Sequence, residues 1–195
     1  MSAIISLSSI TVCFGDGSRN EKLTHVTGIN WPHGGEVTLH HVRRNMGGRL
    51  EIRFDRKILP VDGHRTGISP YTFVVEYGGV QKDIEYLPFD REHPPYLQDD
   101  CMAVFTIDPE AITPGRDEDD IAGNTVYVTL KCDFILDCHG NPVDGNHLKG
   151  RLPSGSGTAG GVFESWFRVV SGYANERERA EDETPAQPQK PKRRV

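Results

Sequence analysis

The sequence predicts an all-β protein, most simply a β-sandwich, on three observations. Apolar and polar residues alternate with period two in one stretch after another, and the alternating stretches are rich in strand-favouring residues. The 21 glycines and 13 prolines punctuate those stretches at short intervals, as tight turns require and a helical bundle does not. At 195 residues the chain suits one domain that can bury a sizeable core without covalent staples.

Taken in order, "SITVCF" is a short strand candidate within an N-terminal extension, residues 1 to 27, and "GEVTLHHV" is a second. On a strand, adjacent His40 and His41 would face opposite ways, which weakens them as joint ligands. "RLEIRFDRKI" turns Leu50, Ile52 and Phe54 to one side and Glu51, Arg53 and Asp55 to the other. "YTFVVEY" aligns Phe73, Val75 and Tyr77, and Gly78-Gly79 then lead through a hairpin turn into "KDIEYL".

Two consecutive prolines in "DREHPPYLQDD" disfavour helix and ladder alike, which predicts a surface loop. "CMAVFTID" puts Ala103, Phe105 and Ile107 together, and "PEAITPGRDEDDIAGN" is a long connection with a helical turn near Glu110. "TVYVTLKCDFIL" reads as a long strand, bent near Cys132, with Val126, Val128, Leu130, Cys132, Phe134 and Leu136 inward. "GVFESWFRVV" has apolar residues on both faces and suits a central strand. From Ala174 to Val195 core-forming residues all but vanish, and a disordered charged tail is expected, five acids preceding a cluster of four bases.

The net charge of −6 gives no general attraction to phosphate backbones or anionic lipid, so nucleic acid is not an expected partner. No stretch approaches the roughly 18 apolar residues of a membrane span, and no membrane insertion is expected. The N-terminus lacks a secretory pattern, which points to the cytoplasm or to a non-classically exported assembly. Cys13, Cys101, Cys132 and Cys138 are then expected as reduced thiols.

Zinc would need two close ligand pairs. Cys138-His139, with Asp137 or His147 beside it, has no matching pair elsewhere. Calcium takes oxygen ligands on turns, and "RDEDDIAGN" and "DCHGNPVDGN" offer them. The calcium candidates are Asp117, Asp119 and Asp120 in the first and Asp137, Asn141 and Asp144 in the second; the same residues also suit Asx-turns that cap backbone N–H groups. Ser154, Ser156 and Ser165 lack the strand-to-helix setting of a nucleophile elbow, and no catalytic residue is assigned. Trp31 in "GINWPHGG" is a candidate exposed platform, whereas Trp166, on a strand, is expected in the core.

The succession "INWPHGGEV", "LEIRFDRKI", "TFVVEY", "VYVTLKCDFILDCHGNPVDG", "FESWFRVV" resembles the bacterial Ig-like domain of the S-layer type. The residues that carry the resemblance are Pro32 with Gly34-Gly35, Phe54-Asp55, Tyr127, Asp137 with Gly140-Asn141, and Phe163 with Phe167, within residues 28 to 170. The resemblance implies an immunoglobulin-like β-sandwich, here residues 28 to 173, used as a non-catalytic spacer or adhesion module and usually repeated in exported proteins. A single copy, no visible signal and long loops at 90 to 100 and 142 to 162 depart from that pattern. The expectation is accordingly a structural or protein-interaction module, without a cofactor unless calcium binds, with a protein partner or larger assembly met through loops near Trp31, Tyr96 and residues 150 to 160. A calcium-stabilised carbohydrate binder or metal-dependent enzyme is the alternative.

Overall fold

The computed structural model describes residues 22–61, 65–79, 82–113 and 121–170. They form two facing sheets and a two-stranded ribbon. The first sheet holds β1 (Val26–Ile29), β3 (Arg49–Phe54), β9 (Met102–Thr106) and β8 (Tyr96–Gln98), in that order. The second runs β2 (Glu36–Thr38), β11 (Val162–Val170), β10 (Thr125–Lys131), β6 (Phe73–Gly79) and β7 (Lys82–Tyr86). The ribbon pairs β4 (Pro60–Val61) with β5 (Arg65–Thr66). This is the strand order of an immunoglobulin-like sandwich, with the first edge strand shared between sheets and a hairpin strand added beside the third.

Period two builds the core. Leu50, Ile52 and Phe54 from β3 and Ala103 and Phe105 from β9 meet Phe73, Val75 and Tyr77 from β6, Val126, Val128 and Leu130 from β10, and Phe163, Phe167 and Val169 from β11, all buried. Phe73 and Phe105 join the two layers with ring centroids 5.6 Å apart. Each fully buried side chain of this size contributes about 1.5–3 kcal/mol by leaving water.

All pairs within the sheets are antiparallel except β2 with β11, which is parallel through Arg168↔Glu36, Val169↔Val37 and Val170↔Thr38. The sandwich takes in residues ahead of position 28: Val26 pairs with Phe54, and the Thr24 hydroxyl donates to Asp137 Oδ2 at 2.8 Å. The N-terminal strand candidate, Cys13, Asp117, Asp119, Asp120 and the charged C-terminal segment lie outside the described residues.

Four expectations are corrected. The strand through Cys132 does not carry Phe134 and Leu136 into the core. Cys132–Phe134 form a 3-10 turn, in which Ile135 N–H donates to the Cys132 carbonyl at 3.1 Å, and the shift in parity buries Ile135 and exposes Phe134. β8 follows directly on Pro94-Pro95 and pairs with β9, because prolines ahead of an edge strand remove no ladder bond. His40 and His41 belong to a helical turn, not a strand, with Gly48 N–H closing back on the Val42 carbonyl at 2.9 Å. β11 is not apolar on both faces in effect, since Val162, Glu164, Trp166 and Arg168 look outward while Phe163, Ser165, Phe167 and Val169 are buried.

A candidate interaction face on the five-stranded sheet

The outer face of the second sheet collects side chains that a solvated face would not need. Register fixes the arrangement: Tyr127 of β10 lies opposite Trp166 of β11 on one side and Glu76 of β6 on the other, and Glu76 lies opposite Tyr86 of β7. Residues opposite one another share a face, so Trp166, Tyr127, Glu76 and Tyr86 form one row across four strands. Ile84 stands beside the row, above Gly78; a Cβ on Gly78 would sit 3.0 Å from the Ile84 Cα, so glycine lets β7 close in there. Tyr86 is 74% exposed, Ile84 63% and Trp166 42%.

The face is concave. A cleft of about 470 Å³ is lined by Trp166, Tyr127, Glu76 and Glu164 from the strands and by His33 and His147 from the rim. A separate, more apolar cleft of about 410 Å³ is lined by Tyr71, Val74, Tyr86, Phe89 and Lys131 together with core residues Phe73 and Phe105. No Lys or Arg lines the first cleft, and neither Glu76 nor Glu164 makes an ion pair among the described residues.

The rim is ordered by a polar chain. Trp31 is buried, packs on Phe167 with centroids 6.1 Å apart, and donates its indole N–H to Ser165 Oγ at 2.9 Å. Ser165 Oγ also meets His33 Nδ1 at 2.9 Å, a second hydrogen bond whose donor is set by the His33 tautomer. His147 donates from Nδ1 to the Glu164 carbonyl at 2.6 Å, stacks on Phe163, and presents its ring to His33 with centroids 4.7 Å apart. Desolvation, and then the neighbouring His147, lower the His33 pKa below its ordinary 6.5. Ser165 and His33 have the outline of a nucleophile and base, but the serine is buried and its oxygen is engaged by Trp31.

The sequence-level candidates fall elsewhere. Trp31 is not the exposed platform expected of it: its ring lies between the sheets, and Trp166 takes the exposed position because its strand parity points outward. Tyr96 is half-buried at the opposite sheet, where its hydroxyl accepts from Arg49 at 2.9 Å.

Asp137 and Asp144 are fully buried and their oxygens are engaged by the chain itself. Asp137 Oδ1 accepts the backbone N–H groups of His139 and Asn141, both at 2.9 Å. Asp144 Oδ2 accepts from the N–H groups of Ser156, Gly157 and Thr158 at 2.9, 2.7 and 3.1 Å, and Oδ1 from Ser156 and from the Asn146 amide. An anion collected by successive backbone donors is a nest filled from within. Among the described residues, no three His, Cys, Asp or Glu side chains converge as a metal site would require.

Ser154 and Ser156 serve the same loop, the first donating to the Asp144 carbonyl at 2.7 Å and the second accepting from Asn146 at 3.0 Å. Cys101, Cys132 and Cys138 are free thiols, and burial pushes that of Cys132 up to about 12. The residues that sequence reasoning passed over are Trp166, Tyr127, Glu76, Tyr86, His33 and His147. The signal available for the first four was an aromatic or lone acid at the outward parity of a strand, repeated on neighbouring strands.

No helix among the described residues is long and apolar enough to cross a membrane. No protein-family model, curated protein or solved structure matches the chain.

Proposed function

We propose that the chain is a non-catalytic interaction module that meets a protein partner, as a component of a larger assembly, through the outer face of its five-stranded sheet. The observation that carries this reading is the row Trp166, Tyr127, Glu76, Tyr86, with Ile84 beside it, exposed on a rigid sheet. Large aromatic side chains at outward positions cost solubility and add nothing to the core, whereas at an interface they supply most of the binding energy. The S-layer-type resemblance supports the same class of function, with contact moved from the loops to the sheet.

Affinity purification from the source cells tests it, comparing the native chain with Trp166→Ala/Tyr127→Ala and with Arg53→Ala on the other sheet. Stoichiometric protein partners that survive Arg53→Ala and disappear with the double variant are the expected result. Partners indifferent to both changes would sink the reading.

The same row also suits carbohydrate, because sugar rings stack on aromatic faces and Glu76 and Glu164 can accept their hydroxyls. Glycan-array binding abolished by Trp166→Ala, with no protein partner, would favour that second reading.

A further inference from the structure

The chain carries a segment whose chemistry fits this face. Pro185, Pro188 and Pro191 recur at every third position, and Lys190, Lys192, Arg193 and Arg194 surround the last of them. A polyproline II strand has three residues per turn and rises about 3.1 Å per residue, so prolines at that spacing align on one edge about 9 Å apart. Aromatic-lined grooves recognise such an edge, and a basic flank adds a contact where the groove holds carboxylates.

We propose that residues Pro185 to Arg194 of the same chain dock in extended form on the row Trp166, Tyr127, Glu76, Tyr86. The proposal rests on the reading of that face as a docking surface, and it names an occupant. Tyr127 and Tyr86 sit two strands apart, about 10 Å at the usual strand spacing, close to the separation of successive proline rings. Glu76 and Glu164 lie among the aromatic rings without ion pairs among the described residues, and the cleft has no Lys or Arg of its own. The four bases supply the missing charge.

The same charges choose the segment. Glu176, Glu178, Glu181, Asp182 and Glu183 lie nearer in sequence and outnumber the interleaved Arg177 and Arg179, so the cleft carboxylates would repel that stretch. Reach is sufficient, because β11 carries Trp166 and ends at Val170, fourteen residues separate Val170 from Pro185, and a flexible chain of that length would span roughly 20 Å. Tethering at that length gives an effective concentration in the millimolar range, so a contact too weak to hold a free peptide tightly still fills the face. The tail then acts as a built-in competitor that a partner must displace.

The test uses the indole N–H resonances of Trp31 and Trp166 in the isotope-labelled full chain. Pro185→Ala/Pro188→Ala/Pro191→Ala should shift the Trp166 indole and the amides of Tyr127 and Glu76 while leaving the buried Trp31 indole in place. A synthetic peptide of residues 183 to 195, added to that variant, should return the resonances to their native positions. Replacing the four bases by serine, or Glu76→Gln/Glu164→Gln on the face, should weaken docking at least several-fold.

Identical spectra for the native chain and both tail variants, with no response to peptide, would overturn the proposal. So would shifts that fade on tenfold dilution, which assign the occupant to a second copy. Partner capture that depends on Trp166 while the spectra ignore the tail removes only this inference. A tail that docks in a protein whose partners ignore Trp166→Ala removes only the interaction reading.

Discussion

Trp31 and Ser165 stand 134 residues apart in the chain and meet at 2.9 Å, the indole N–H donating to the serine hydroxyl between the sheets. The bond ties the loop before β2 to the middle of β11, and the serine passes the link on to His33 at the rim of the candidate face. The core and the cleft therefore share one polar thread.

Trp31→Phe keeps most of the ring packing and removes the donor, so it should cost about 1–2 kcal/mol in denaturant unfolding. Ser165→Ala should cost a similar amount, and the double variant less than the sum, because both remove the same bond. Strict additivity would mean the bond contributes nothing.

Asp144→Ala leaves the N–H groups of Ser156, Gly157 and Thr158 without their acceptor inside a buried loop. Loss of about 3 kcal/mol or more is expected by chemical denaturation, since hydrogen bonds to a charged acceptor contribute about 1.5–3 kcal/mol each. Chelation with EDTA should leave the melting temperature of the native chain unchanged, because backbone donors already occupy this carboxylate and that of Asp137. A fall in melting temperature reversed by calcium would reinstate a metal role for Asp137, Asn141 and Asp144.

His33 should titrate below 6.5 in an NMR pH series, and His147→Gln should move its midpoint upward by removing the neighbouring charge while the desolvation remains. The folded protein favours the neutral ring. Unfolding consequently takes up a proton between the folded midpoint and 6.5, and stability falls as pH drops through that window. A His33 midpoint at or above 6.5 would contradict the arrangement at the rim.

Iodoacetamide near neutral pH should leave Cys132 unmodified in the native protein, as a buried thiol with its pKa pushed up to about 12 offers almost no thiolate. Peptide mapping after partial denaturation should show Cys132 labelling only with global unfolding. Labelling of Cys132 at the rate of half-exposed Cys101 or Cys138 would mean that the Cys132–Phe134 turn opens locally.

Three central strands were legible because one face of each is buried and alternation is then a direct record of burial: Leu50-Ile52-Phe54, Phe73-Val75-Tyr77 and Val126-Val128-Leu130 could be read as core from the sequence. The 3-10 turn at Cys132 was not, since inserting a turn changes parity without changing composition, and Phe134 and Ile135 exchange places. The candidate face was hidden for a different reason. Trp166 and Tyr127 are ordinary members of their strands until β10 and β11 are placed in register, and register depends on pairings between distant segments. Trp31 misled because a loop position beside proline suggests exposure, and only the hydroxyl of Ser165 across the sandwich explains why the indole can be buried.

The parallel pairing of β2 with β11 also bears on how the molecule responds to tension. Three facing pairs join a strand near the start of the sandwich to the strand that ends it. A force pulling the chain apart ahead of Glu36 and beyond Val170 draws these strands past each other along their length. Their hydrogen bonds are then strained together in shear, where an antiparallel hairpin pulled at its ends would release them one at a time. A module anchored at both sides would thus meet mechanical load with a small clasp that resists as a unit, leaving the aromatic row of β11 and its neighbours in register.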